Sequence, residues 1–281
     1  MNLDMYVPTP PPRGGTDEAM FVSIESQLAL LQESVSRLST KAQSNADDRV
    51  DARVAATWKE LMREKEKVVI RTELDVIPSG PVTVFCEFDG LCCAGSIEVT
   101  LLGSNVQEGR DAQQAAWQGL KMTLGETLAK LDAAGVRIEP AFIDFVEQCS
   151  IRRMRVCVLS RGLKPLIRAM LRDQGIGHIE VLAHDGYVDE AGEWHVSLRD
   201  DSRTGHDKAE SLRRALRNHE QGAVVLVGRT ACDFAPVLAG GVDCVLAPRP
   251  SALASLCDQN SVRTRTFEGW DELSKALLRG P

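Results

Sequence analysis

No stretch of the 281-residue chain approaches the roughly 18 consecutive apolar residues that a membrane-spanning helix requires, which excludes such a span. Positive charge is also short. Against 40 Asp and Glu stand 33 Lys and Arg, a formal net charge of −7, so the summed field needed for nonspecific phosphate-backbone binding is missing and direct nucleic-acid binding is not expected. Paired metal-ligand spacings are absent as well. Cys92 and Cys93 are adjacent but have no second pair at a zinc-like spacing, and none of the five histidines lies beside a cysteine cluster. The opening residues, MNLDMYVPTPPPRGG, carry neither a charged-then-apolar signal nor an Arg-rich amphipathic start. With several of the eight cysteines set inside apolar runs, reduced and buried thiols in a soluble intracellular protein are expected.

What is present is a globular composition, 43% hydrophobic and 26% charged, enough for one large domain or a medium domain with an extension. The first 80 residues differ from the rest. A flexible Pro- and Gly-rich tail over 1–16 leads to Thr16 or Asp17, either of which can cap a helix. From there Phe21, Ile24, Leu28, Leu31, Val35 and Leu38 keep the alternating three-four spacing of a heptad seam. After a polar break, Val50, Val54, Trp58 and Leu61 mark a second helix, so 17–80 reads as a helical hairpin. Its apolar stripe either packs on its own domain or pairs with a protein partner, and for the second case Phe21, Ile24, Leu28, Leu31, Val35, Leu38 and Trp58 are the candidate contacts.

From residue 81 the pattern changes. Short apolar runs, VTVFCEF, MRVCVLS, HIEVLA, AVVLVG and DCVLA, alternate with helical periodicity, which predicts an α/β domain over 81–281 with a parallel sheet covered on both faces. About 65 residues separate the first two runs. That is too many for a plain crossover, and the largely helical pattern suits a small helical cap at about 92–150. In such sheets ligands bind beyond the carboxyl ends of the strands, which directs attention to the residues there.

Glu87, Asp89 and Gly90 follow the first run; Ser160, Arg161 and Gly162 follow the second; Lys208 stands in TGHDKAESL; Gly228, Arg229, Thr230 and Asp233 follow the fourth. Acids, a hydroxyl, an ammonium and a final acid in this chain order resemble the four motifs of the haloacid dehalogenase superfamily. VFCEFDG stands for the usual FxDFDGT, and VVLVGRTACDFAPVLAGGVDCVLA for the usual GDGxSDxxAA…D…FA. The resemblance covers residues 81–281 and is greatest to the phosphoserine-phosphatase-like branch. It implies a Rossmann-like sheet, an aspartate nucleophile at position 87, Asp89 as general acid and base, phosphate binding by Ser160 and Lys208, and magnesium held by the nucleophile, a backbone carbonyl and an aspartate at position 229.

Three positions depart from that pattern. Glu87 replaces the nucleophilic aspartate and moves its carboxylate by about one ångström, a displacement that can cost about a hundredfold. Leu91 replaces a threonine. Arg229 replaces the metal-ligating aspartate with a cation that has no lone pair to offer and repels Mg²⁺. An ion pair from Arg229 to Glu87 or Asp89 is therefore expected in the former metal site, beside Asp233, with no metal or other cofactor bound. The reading that follows is a catalytically inactive phosphatase-fold protein serving as a binding or structural subunit. Its alternatives are an active Mg²⁺-dependent phosphomonoesterase using Glu87 and Asp89, and a metal-independent phosphometabolite-binding protein using Ser160, Lys208 and Arg229. Simpler roles stand beside these: Ser160 and Lys208 as a cap or an acid's partner, His206 as part of a turn before a helix, Trp117 as core.

Overall fold

The computed structural model describes residues 81–103, 109–217 and 222–278. The heptad hairpin, with Phe21, Ile24, Leu28, Leu31, Val35, Leu38 and Trp58, lies outside the described residues. The described chain opens with β1 (Val82–Cys86), then α1 (Ile97–Leu102), α2 (Arg110–Gln118), α3 (Leu124–Ala133) and α4 (Pro140–Ile151). Next come β2 (Arg155–Leu163), α5 (Lys164–Asp173), β3 (Glu180–Val188), β4 (Trp194–Ser197), α6 (Lys208–Arg217) and β5 (Ala223–Val227). A short 3₁₀ turn (Ala231–Asp233) then precedes α7 (Phe234–Leu238), β6 (Cys244–Pro248), α8 (Ala252–Gln259), β7 (Arg265–Phe267) and α9 (Trp270–Leu278).

Among the described residues the strands form one seven-stranded sheet in the order β4-β3-β2-β1-β5-β6-β7. Only β4 runs antiparallel to its neighbour; all other pairs are parallel. The strand alternation explains the layers. Val84 and Cys86 of β1, Val156 and Val158 of β2 and Val225 and Val227 of β5 face one core with Phe142 and Phe145 of α4, Leu166 and Ile167 of α5, and Trp270 and Leu273 of α9. Phe85, Cys157, Leu159, Val224 and Leu226 face the other, against Leu212 of α6, Val237 of α7 and Leu253 of α8. Both faces are thus covered, as runs of apolar rather than alternating residues require. Trp117 is fully buried in the first core.

All five predicted strands form, with differences at their ends. β2 continues through Ser160, Arg161 and Gly162 to Leu163, with its register against β3 shifting between Leu159 and Leu163, so these residues extend the strand rather than follow it. β4 and β7 are additional. The first carries a four-residue alternation, WHVS, and the second is three residues long, both at sheet edges where a continuous apolar run is not needed. The eight cysteines are all free thiols, and six are buried.

The last helix closes the first core. The ring of Trp270 sits 4.8 Å from that of Phe142 and 5.0 Å from that of Phe145, and its Nε1–H donates to the Leu91 carbonyl at 2.8 Å, tying α9 to the loop beyond β1. Phe145→Ala would empty the centre of this cluster. A loss of about 3–5 kcal/mol is expected in urea unfolding followed by tryptophan fluorescence; a loss below about 1 kcal/mol would mean the cluster is not part of the cooperative core.

Candidate functional site

The site gathers at the carboxyl ends of β1 and β5, which pair in register through Cys86 and Val227. The Glu87 amide continues that ladder by donating to the Val227 carbonyl at 2.9 Å, and the Cys92 thiol donates to the Glu87 carbonyl at 2.9 Å. The chain then turns at Gly90, whose φ of 65° lies in the left-handed region. Beyond β5, Gly228 lets the backbone pass close to Asp233: a Cβ there would sit 2.7 Å from the Asp233 Cβ. Asp233 Oδ2 then accepts from the Arg229 amide at 2.9 Å, the Thr230 amide at 2.8 Å and the Thr230 hydroxyl at 2.9 Å. The segment before α6 supplies the third part of the site; there Asp207 Oδ1 accepts from the amides of Ala209 and Glu210 and so caps the helix that begins with Lys208.

These three segments place one ammonium between two carboxylates. Lys208 Nζ donates to Glu87 Oε2 and, at 2.7 Å, to Asp233 Oδ1. All three groups are buried; the Lys208 side chain is 3% exposed, Glu87 7% and Asp233 1%. Burial of this kind is costly unless every charge is paired. One cation cannot neutralise two anions, and the acids divide accordingly. Burial drives the Glu87 carboxyl well above its ordinary range, against the pull of Lys208 and with the push of Asp233. Burial also opposes ionisation of Asp233, but Lys208 and the hydrogen bonds it receives outweigh that and hold it well below its range. Burial would lower Lys208, yet Asp233 and Glu87 together raise it. The consistent state is an ionised Asp233, a charged Lys208 and a proton retained on Glu87.

Around this triad the other sequence-predicted residues divide. Ser160 is buried; its hydroxyl oxygen accepts from the Gly162 amide at 3.0 Å. Asp89 faces the start of α1. Its Oδ2 accepts from the Ser96 hydroxyl at 2.9 Å and its Oδ1 from the Ile97 amide at 3.4 Å, so it anchors the start of α1; burial raises its carboxyl and these two bonds work against the rise.

Arg229 does not form the expected ion pair with Glu87 or Asp89. Its guanidinium is exposed and Nη1 donates to the Gly90 carbonyl at 2.7 Å, lying over Gly90 so closely that a methyl there would collide with it. The reason is competition. Lys208, fixed at the first position of a capped helix, already occupies Glu87, and Asp89 is engaged by Ser96 and Ile97. A carbonyl oxygen at the turn is what remains. Thr230, named at the strand end but given no role there, and Cys92 are further residues of the site. The Thr230 hydroxyl lies 3.5 Å from Glu87 Oε2 while bonded to Asp233, and the T-x-x-D spacing of a capping box was the signal for it.

A magnesium ion held as in the resembling family would need the carboxylate at 87, a carbonyl oxygen of the same turn and a carboxylate at 229. Here position 229 supplies a positive charge in place of a carboxylate, its guanidinium bonded to the Gly90 carbonyl, and an ammonium holds the carboxylate at 87. The residues do not fit the ion. Among the described residues no group of three or more His, Cys, Asp or Glu is arranged to hold a metal.

No protein-family model matches the chain. Pdp3-interacting factor 1 of Schizosaccharomyces pombe is 28% identical over 176 residues, covering 60% of this chain and 76% of that protein. The polyol phosphate phosphatase PYP1 of Saccharomyces cerevisiae is 25% identical over 154 residues; the match covers 50% of this chain and 63% of the yeast protein, less than two thirds of its length. Among solved structures, a substrate-bound phosphoserine phosphatase is similar with a TM-score of 0.55 and 11% identity, over 71% of this chain and 100% of that one.

Removal of the shared cation tests the electrostatics. Lys208→Met leaves Asp233 buried without its partner and should cost about 3–5 kcal/mol in urea unfolding at pH 8. The Asp233 carboxyl would then titrate above its unfolded value, so protonation relieves the penalty and the deficit against wild type should be smaller at pH 5. An equal deficit at both pH values would show that packing, not charge, holds Lys208 in place.

Proposed function

We propose that this chain, whose fold is that of the haloacid dehalogenase phosphatases, works by binding and does not catalyse metal-dependent phosphoryl transfer. The observation that carries this reading is the Arg229 guanidinium seated on the Gly90 carbonyl, at the position where the resembling family places a metal-ligating carboxylate. Lys208 adds to it, because it offsets the charge of Asp233 while Glu87, which it also bonds, keeps its proton. A charge balance achieved with Lys208 and that proton leaves little electrostatic demand for Mg²⁺. The heptad stripe of Phe21, Ile24, Leu28, Leu31, Val35, Leu38 and Trp58 is the surface proposed for a protein partner, in a larger assembly where the chain acts as a structural or binding subunit. That one relative is named as an interacting factor supports this direction.

The second reading, a working Mg²⁺-dependent phosphomonoesterase using Glu87 and Asp89, is favoured by the name of the yeast relative, a polyol phosphate phosphatase. It requires Glu87 to exchange Lys208 for a metal and Asp89 to leave Ser96 and Ile97. A metal-free anion site of Ser160, Lys208 and Arg229 is favoured less, since two of the three Lys208 Nζ hydrogens are taken by acids.

Two measurements decide among these. Wild type with Mg²⁺ and p-nitrophenyl phosphate, phosphoserine or a polyol phosphate should give no turnover above the blank; turnover abolished by Glu87→Ala would overturn the proposal. The double substitution Glu87→Asp with Arg229→Asp should restore the missing carboxylate geometry, and the variant should gain thermal stability with Mg²⁺, by about 2.7 kcal/mol at one hundred times the dissociation constant. If the double variant shows no Mg²⁺-dependent shift, Arg229 is not what bars the ion.

A further inference from the structure

The residue that joins the two phosphate-type positions of this site is one to which neither the motif resemblance nor the reading above gives a role. His206 is 2% exposed, in the segment between β4 and α6. Its Nδ1 lies 2.8 Å from the Ser160 carbonyl oxygen, and its Nε2 lies 2.9 Å from the Ser211 hydroxyl. A carbonyl can only accept, so Nδ1 carries the hydrogen. The Ser211 hydroxyl oxygen already accepts from Arg199 Nε–H at 2.7 Å and retains one hydrogen to donate, which the bare Nε2 takes. The result is a directed chain, Arg199 to Ser211 to His206 to the Ser160 backbone, with each donor and acceptor used once.

The neighbouring ring has the complementary form. His184, on β3, accepts the Arg199 amide at Nδ1, 3.2 Å away, so its hydrogen is on Nε2, which has no hydrogen-bond partner. The two rings meet edge to face, with centroids 5.7 Å apart and planes at 64°, an arrangement in which an N–H can rest on a ring face. Among the charged groups that act on the pair, Arg199 and Lys208 act on His206, Arg161, Arg199 and Asp200 on His184, and Asp200 also interacts with His206. Burial pushes His206 down to about 3 and His184 down to about 4, and for His206 the Arg199 and Lys208 charges add to the effect.

We propose that His206 is a positioning residue: as a neutral imidazole with its hydrogen on Nδ1, it fastens β2 at Ser160 to the first turn of α6 and so sets Ser160 and Lys208 relative to one another. The sequence reading of this residue as part of a turn before a helix described its place but not this bridge. Asp207 caps the helix, Lys208 enters the acid pair, and His206, one residue earlier, reaches the opposite strand; three consecutive residues divide the work. The inference holds whether the site only binds or also turns over.

The test is a nitrogen-15 histidine spectrum of the full chain, with His206 assigned by its loss in His206→Asn. At pH 7 and at pH 5 His206 should be neutral with its hydrogen on Nδ1, and His184 neutral with its hydrogen on Nε2. An imidazolium at position 206, or a hydrogen on its Nε2, overturns the proposal. Amide hydrogen exchange then separates bridging from packing. His206→Ala should speed exchange at Gly162 and at Ser211 by about tenfold. His206→Asn, which keeps a donor near the Nδ1 position but cannot reach Ser211, should restore Gly162 and leave Ser211 fast. Equal loosening in both variants, or none in Asn at Ser211, would overturn it; if the Ala variant does not fold, the tautomer and the Asn variant decide alone.

Discussion

One buried ammonium organises this site. Lys208 Nζ stands between Glu87 and Asp233 with 3% of its side chain exposed. Its position depends on α6 beginning where it does, which the Asp207 cap fixes, and on Gly228 admitting Asp233 at close range. The acids depend on it in turn. Without the ammonium, the ionised Asp233 would lie unpaired in a low-dielectric interior beside the protonated Glu87, a state that costs several kcal/mol. The sheet supplies the setting: parallel strands end on one side, so loops remote in the chain meet there.

The pairing of Lys208 also explains the course of Arg229. A guanidinium and an ammonium competed for few acceptors. The ammonium, on a short reach from a capped helix, took the carboxylates, and the guanidinium lies over the turn at Gly90. Arg229 therefore contributes at the rim, as a fixed positive charge on the turn carbonyl, while the interior balance is struck by Lys208.

Much of this was legible in the sequence because the interior strands announce themselves. VTVFC, RVCVL and AVVLV are continuous apolar runs, and a sheet covered on both faces demands such runs. The edge strands β4 and β7 were not legible: WHVS and RTF are too short and too mixed to stand out from loops. The site was readable as a set of residue types at strand ends, and Glu87, Lys208 and Asp233 do meet. What sequence could not supply was direction. The sign of Arg229 was plain, but which oxygen it reaches depends on what else is already occupied. The same holds for Asp89, whose carboxylate serves Ser96 and Ile97 at the start of a cap helix. Thr230 went unread because its hydroxyl matters only through Asp233 three residues on, a contact made by a single tight turn.

The central claim is that this strand-end site has exchanged a divalent ion for side-chain cations. Its most direct measurement is a titration of the wild-type chain with Mn²⁺, followed by the paramagnetic resonance of the free ion. The account predicts no saturable binding at the site and no difference between wild type and Glu87→Gln. Stoichiometric binding by wild type that Glu87→Gln removes would contradict it.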